Sequence, residues 1–111
     1  MSTSNTMNLY PVNHAELGNF ITGSKTFGPL TINYNVDLSI PQVQITVLLY
    51  GVVIGQATIN KAHPTVQLGG SIGIAKAEVD LTLNGNEIDY KIDVEAFGKT
   101  IYSGSGVLFS W

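Results

Sequence analysis

The chain has 111 residues, of which 44% are hydrophobic and only 12% are charged, and its formal net charge is −3. This length suits one domain, and the acidic balance argues against nucleic-acid binding, which needs positive charge to displace counterions. The absence of cysteine excludes disulfides and cysteine-based zinc sites.

Residues 1–11 form a polar segment that ends in Leu9-Tyr10-Pro11. We expect this segment to be an N-terminal arm, with Leu9 and Tyr10 as candidate contacts to a neighbouring copy. It lacks the basic and apolar regions of a signal peptide, and no run in the chain has the roughly 18 apolar residues of a membrane helix. The localisation expected is therefore cytoplasmic, or exported without an N-terminal signal.

The first half of the chain reads as short strands separated by turns. Residues 17–22 are a short strand candidate, and residues 23–29, rich in Gly, Ser and Thr, are predicted to turn. Strict alternation over residues 30–38 predicts a half-buried strand, and a second alternating strand follows Pro41. Tyr50-Gly51 is a predicted turn, and Gly55 is a predicted bulge in the returning strand.

The second half begins after a joint at residues 60–64. Gly69-Gly70 and Gly73 are predicted turns or bulges, and a strand then starts at Ala77. Asn84-Gly85, flanked by alternating apolar residues, predicts a hairpin with these two residues as the loop. That register places Leu81 opposite Ile88 on the apolar side and Asp80 opposite Asp89 on the polar side. A second turn is predicted at Gly98-Lys99.

About eight strands without a helical period indicate an all-β fold, either a single antiparallel sandwich or a closed barrel. A shift of 47 residues lays the second half over the first without a gap and gives eight identities, for example Ile45 with Ile92 and Gly51 with Gly98. Random pairing would give roughly three. The sequence therefore predicts one β domain over residues 12–111, built from two repeats at about 12–58 and 59–111.

The acidic side of the hairpin is the only candidate metal site. Asp80 and Asp89, if opposite each other, need relief of their repulsion by solvent, by a cation or by a raised pKa. A solvated face is the favoured interpretation, because a flat strand converges few oxygens on a cation. No nucleophile, base and orienting residue can be assembled, so we expect neither an enzyme nor a cofactor.

Three aromatic residues are candidate ligand contacts. Tyr50 and Phe97 occupy equivalent turns, and Tyr102 is predicted on the outer face opposite Glu95. Exposed rings at these positions can stack on a sugar or anchor a partner.

Low charge leaves the sheet edges of this chain weakly protected against pairing. The function expected is therefore a non-enzymatic structural or interaction protein that forms homo-oligomers through sheet edges, the N-terminal arm, or both. The alternative is a carbohydrate-binding, lectin-like module with pseudo-equivalent sites at Tyr50 and Phe97. A membrane-active β protein, suggested by the apolar run at residues 47–54, is a third possibility, although a membrane is not an expected partner.

Overall fold

A computed structural model describes residues 20–111, which form eight strands and no helix. The predicted arm, with Leu9 and Tyr10, lies outside the described residues. The strands are β1 (Phe20–Phe27), β2 (Leu30–Asp37), β3 (Gln42–Leu49), β4 (Val52–Ile59), β5 (Thr65–Ile72), β6 (Ala75–Asn84), β7 (Glu87–Ala96) and β8 (Lys99–Ser110). The all-β prediction is confirmed.

The described strands form two four-stranded antiparallel sheets, ordered β1-β2-β3-β4 and β5-β6-β7-β8. Each strand pairs with the next one along the chain, so both sheets are simple meanders. Residues 60–64 cross from one sheet to the other, as predicted, and Asn60 and His63 exchange two backbone hydrogen bonds in this crossing. A closed barrel is not found, because no ladder of hydrogen bonds joins the two sheets in the described part of the chain.

The two sheets share one hydrophobic core, made by the alternate residues that face inward. Its largest fully buried side chains come from both sheets: Leu30, Ile32, Ile45, Leu49, Ile59, Leu81, Ile88 and Leu108. Tyr34 of β2 stacks on Phe109 of β8 with ring centroids 4.0 Å apart, which ties the sheets together at one side. Trp111 packs against Phe109 and closes the core edge.

At the other side, edge strands β4 and β5 lie close together because glycine removes the side chains between them. A Cβ atom at Gly70 would lie 3.0 Å from Ile54, and one at Gly55 would lie 3.3 Å from Leu68. Gly55 also adjoins a bulge opposite Val47, which confirms that prediction. The prediction of turns at Gly69-Gly70 is wrong, since β5 runs through both residues.

The predicted turn region at residues 23–29 is wrong for most of its length. Residues 20–27 form β1, and only Gly28-Pro29 are left in the turn to β2. The polar residues of β1 are compatible with an edge strand, which is open to solvent. Gly23 is needed for packing rather than turning, because a Cβ atom there would lie 2.5 Å from the Tyr34 hydroxyl oxygen.

The β6–β7 hairpin is confirmed, but its predicted register is wrong by two residues. The loop residues are Gly85 and Asn86, and Asn84 pairs with Glu87 at the end of the ladder. Gly85 has φ of +61°, the positive value that a type II′ turn needs at its first central residue. Because the shift is even, every side chain keeps its predicted face while its cross-strand partner changes.

Candidate functional site

Four two-residue turns lie at one end of the molecule, which we call the turn end: Gly28-Pro29, Tyr50-Gly51, Gly73-Ile74 and Phe97-Gly98. The amide of Tyr50 donates a 2.8 Å hydrogen bond to the Pro29 carbonyl, and that of Phe97 donates a 3.2 Å bond to the Ile74 carbonyl. These bonds join the two turns of each sheet.

The turn pairs of the two sheets lie at the same end because β4 and β5 run antiparallel to each other. Ile54, near the start of β4, lies against Gly70, near the end of β5. The turn before β4 therefore lies on the same side of the molecule as the turn after β5. The structure thus brings the candidate residues Tyr50 and Phe97 to one end.

Tyr50 and Phe97 have an unusual backbone. Their φ angles are +51° and +54°, and the following glycines, Gly51 and Gly98, are also positive. Positive φ at both central residues defines a type I′ turn, which favours Asn-Gly, whereas a bulky side chain in this region is a conformational outlier. Both rings are nevertheless exposed, with 59% of Tyr50 and 79% of Phe97 accessible to solvent.

Tyr102 is placed differently from its prediction. It pairs with Val94 rather than Glu95, because a bulge leaves Ile101 without a partner in β7 and reverses the alternation of β8. Its ring meets Phe27 of the other sheet, at 5.8 Å between centroids, and lies 3.9 Å from the Cβ position of Gly28. Tyr102 is therefore a partly exposed packing residue next to the turn end.

Strand β8 is the most open edge of the described part of the chain. It is the longest strand, with 12 residues, and all of residues 99–107 are exposed. Residues 100–111 contain no charged side chain. The Lys25 ammonium group of β1 reaches the Val107 carbonyl at 3.4 Å and covers one point of this edge.

The acidic face does not bring Asp80 and Asp89 together. The observed register places Asp80 opposite Lys91 and Asp89 opposite Thr82, which relieves the predicted repulsion. Glu78 lies opposite Asp93 instead, and the Lys76 ammonium lies 3.7 Å from Glu95. Among the residues that the structure describes, no three His, Asp or Glu side chains are grouped to hold a metal ion.

Asp89 belongs to a different carboxyl pair. The Asp89 carboxylate is placed to accept a hydrogen bond from the protonated form of Glu87, and this interaction, partial desolvation and the negative charge of Asp89 raise the pKa of Glu87. The Asn84 side-chain amide donates to Asp89 Oδ2 at 3.2 Å, while Asp89 Oδ1 is buried without a hydrogen-bond partner. A proton on the Glu87 carboxyl group can be donated to that oxygen in a hydrogen bond. Such a bond reduces the repulsion between the two carboxyl groups at the start of β7.

A cavity of about 130 Å³ opens at the end opposite the turn end. Its walls are mainly apolar and include Val43, Ile59, Leu83 and Trp111, with Lys61 at the side. Lys61 is the one ionisable side chain among the residues that line it.

The fold buries only part of the apolar run at residues 47–54. Val47 and Leu49 are fully buried core residues of β3, whereas Tyr50 in the turn and Val52 and Val53 at the start of β4 are exposed. Across residues 20–111 the structure contains no helix with the length and apolarity needed to cross a membrane.

Comparisons of the chain with protein-family models, with curated proteins and with solved structures gave no match.

Proposed function

We propose that this protein is a non-enzymatic, self-associating protein whose copies join by adding β8 of one molecule to β8 of another. The observation that carries the proposal is the long, exposed edge of β8, which has no charged side chain after Lys99. An unpaired edge offers a row of backbone donors and acceptors to a second chain, and natural proteins usually block such edges with charge or cover.

The other edges are less available than β8. Strands β4 and β5 shield each other through the close contacts of Gly55 and Gly70. Strand β1 carries a lysine, Lys25, as natural edge strands often do, and the ammonium group of this lysine also reaches the Val107 carbonyl at the end of the open stretch of β8.

The region of β8 that fits strand addition is residues 102–107. Bulges at Ile101 and Leu108 bound this stretch, and its six residues pair regularly with β7 on the inner side. Its side chains include Ser103, Gly104 and Ser105, which are small enough for close approach of a second strand. A Cβ atom at Gly104 would meet nothing within 4 Å, so no neighbouring atom covers this face of β8 at its middle.

The test is the solution mass measured by light scattering over a concentration series. Ser103→Lys places a protective lysine on the edge, opposite Asp93, where the fold tolerates a positive charge. Gln44→Lys adds the same charge to an exposed position of the inner strand β3. We expect the wild type and Gln44→Lys to associate and Ser103→Lys to remain monomeric.

Two outcomes would contradict the proposal: a monomeric wild type at every concentration, or a Ser103→Lys variant that associates as the wild type does. Removal of residues 1–11 distinguishes association through a sheet edge from association through the N-terminal arm. Association through β8 predicts that the shortened chain still associates. A monomeric shortened chain would instead assign the interface to the arm, with its residues Leu9 and Tyr10.

We further infer that the two sheets form a sandwich of two related halves. The equivalent hydrogen bonds from Tyr50 to Pro29 and from Phe97 to Ile74 support this. The alignment of the two halves needs a gap, however. Tyr50 and Phe97, in the turns before β4 and β8, are 47 residues apart, but Gly28 and Gly73, in the turns before β2 and β6, are only 45 residues apart. The β6–β7 hairpin is therefore two residues longer than its counterpart.

The carbohydrate-binding alternative stays a prediction for Tyr50, Phe97 and Tyr102. Sugar recognition needs hydrogen-bonding side chains beside a stacking ring. Apart from Lys99, the residues that directly flank the turn tips at Tyr50 and Phe97 have apolar side chains, which supply none. This composition favours self-association over carbohydrate binding as the function of the protein.

A further inference from the structure

The turn end combines exposed apolar side chains that contribute little to the core. Tyr50 and Phe97 are joined there by Ile74, which is 58% exposed, and by the half-exposed Val52 and Ile101. Each belongs to a turn or lies within three residues of one. An apolar group gathered at one end of a domain indicates an interaction surface more strongly than the same residues scattered over it.

The positive φ angles of Tyr50 and Phe97 are compatible with a binding role for their side chains. A polar residue such as Asn fits the first position of a type I′ turn better than Tyr or Phe does. Two strained, exposed aromatic residues at the same end are therefore unexplained by folding alone. Strained backbone of this kind is often found where a side chain is needed for binding.

Charge is distributed unequally between the two ends. Near the turn end, Lys76 is paired with Glu95 at 3.7 Å, while Lys99 adds a further positive charge beside Phe97. The acidic residues Asp37, Glu87 and Asp89 lie near the opposite end, where β2 ends and β7 begins, and Lys61 in the loop there offsets only part of their charge. In a protein of net charge −3, the apolar end is thus the positive one.

We propose that the turn end docks on the surface of an anionic lipid bilayer. The rings of Tyr50 and Phe97 and the side chain of Ile74 enter the boundary between headgroups and acyl chains, and Lys99 faces the anionic headgroups. Aromatic residues are favoured at such a boundary, and basic residues beside it gain from the negative surface potential. A glycan fits less well, because the flanking side chains are aliphatic.

The experiment is sedimentation of the full chain with vesicles of phosphatidylcholine, alone or with about a third phosphatidylserine. Phe97→Asn removes the most exposed ring and leaves Asn-Gly, the favoured type I′ pair, so the variant remains folded. We expect it to bind anionic vesicles at least about tenfold more weakly than the wild type, from loss of one buried aromatic side chain. Ile40→Asn removes an exposed apolar residue at the opposite end and should bind normally.

A charge pair of variants tests the electrostatic part. Lys99→Gln should weaken binding to anionic vesicles roughly fivefold, the effect of one lysine near a charged surface. Lys61→Gln makes the same change in the exposed loop at the opposite end and should have no effect. The wild-type affinity should also fall as salt is added.

The proposal is overturned if the wild type fails to bind anionic vesicles. It is also overturned if Phe97→Asn binds them as tightly as the wild type, or if Ile40→Asn is weakened as much. Retention on an immobilised glycan without vesicle binding would assign the turn end to carbohydrate instead.

Discussion

Replacing Phe97 by asparagine should make the protein more stable, although it removes a large apolar side chain. Phe97 has φ of +54°, and its side chain is 79% exposed. The strained backbone therefore destabilises the folded state, while the mostly exposed ring adds little stability through burial. Asparagine adopts positive φ more readily and keeps the type I′ turn with Gly98.

The expected gain follows from two opposing terms. Left-handed backbone costs an L-residue other than glycine roughly 1–2 kcal/mol, and asparagine avoids much of this cost. Full burial of a phenylalanine is worth about 1.5–3 kcal/mol, so the small buried fraction of Phe97 contributes about 0.5 kcal/mol. The net gain is then about 0.5–1 kcal/mol, which raises the Tm of a domain of this size by roughly 2–6 °C.

Thermal and urea denaturation, followed by circular dichroism, measure this change. Gly98→Ala is the matched control at the next residue, where φ is +75°, and it should lower stability by about 1 kcal/mol. A lower Tm for Phe97→Asn would refute the reasoning. It would mean that the ring makes folded-state contacts that outweigh the backbone strain.

Three further predictions concern stability. Gly23→Ala should cost about 1–3 kcal/mol in urea denaturation, because its Cβ would force the Tyr34 ring away from Phe109. Trp111→Ala should lower stability by roughly 1–3 kcal/mol, because it uncovers Phe109 and widens the cavity beside Leu83; an unchanged midpoint would show that Trp111 does not close the core. Glu87→Gln should stabilise the protein at neutral pH. The raised pKa of Glu87 means that the folded state binds its proton more tightly, so wild-type stability falls as pH rises from about 4.3 through that raised pKa. The advantage of the variant should grow over this window in a pH series of denaturation curves and be absent below it.

The strands could be predicted because burial on one face imposes a period of two on the residues. Alternation identified β2, β3, β6 and β7, the inner strands, whose inward residues are fully buried. The edge strands β1 and β5 were only partly predicted. Their residues are mostly polar or glycine, so the alternation of apolar and polar residues that marks a half-buried strand is weak in both.

The candidate site was likewise determined in part by the sequence and in part by the tertiary structure. The sequence alone determined the all-β class, the turn at Tyr50-Gly51 and the low charge of the chain, because these depend on local residue preferences and composition. The turn predicted at Gly98-Lys99 lies one residue earlier, at Phe97-Gly98, because Ala96 pairs with Lys99. The tertiary structure decided the two-residue shift of the β6–β7 hairpin, which separates Asp80 from Asp89, and the bulge that turns Tyr102 inward. It also brought Tyr50 and Phe97 to one end. These features depend on how two twisted sheets pack, and packing is set by contacts between residues far apart in the chain, which local periodicity does not encode.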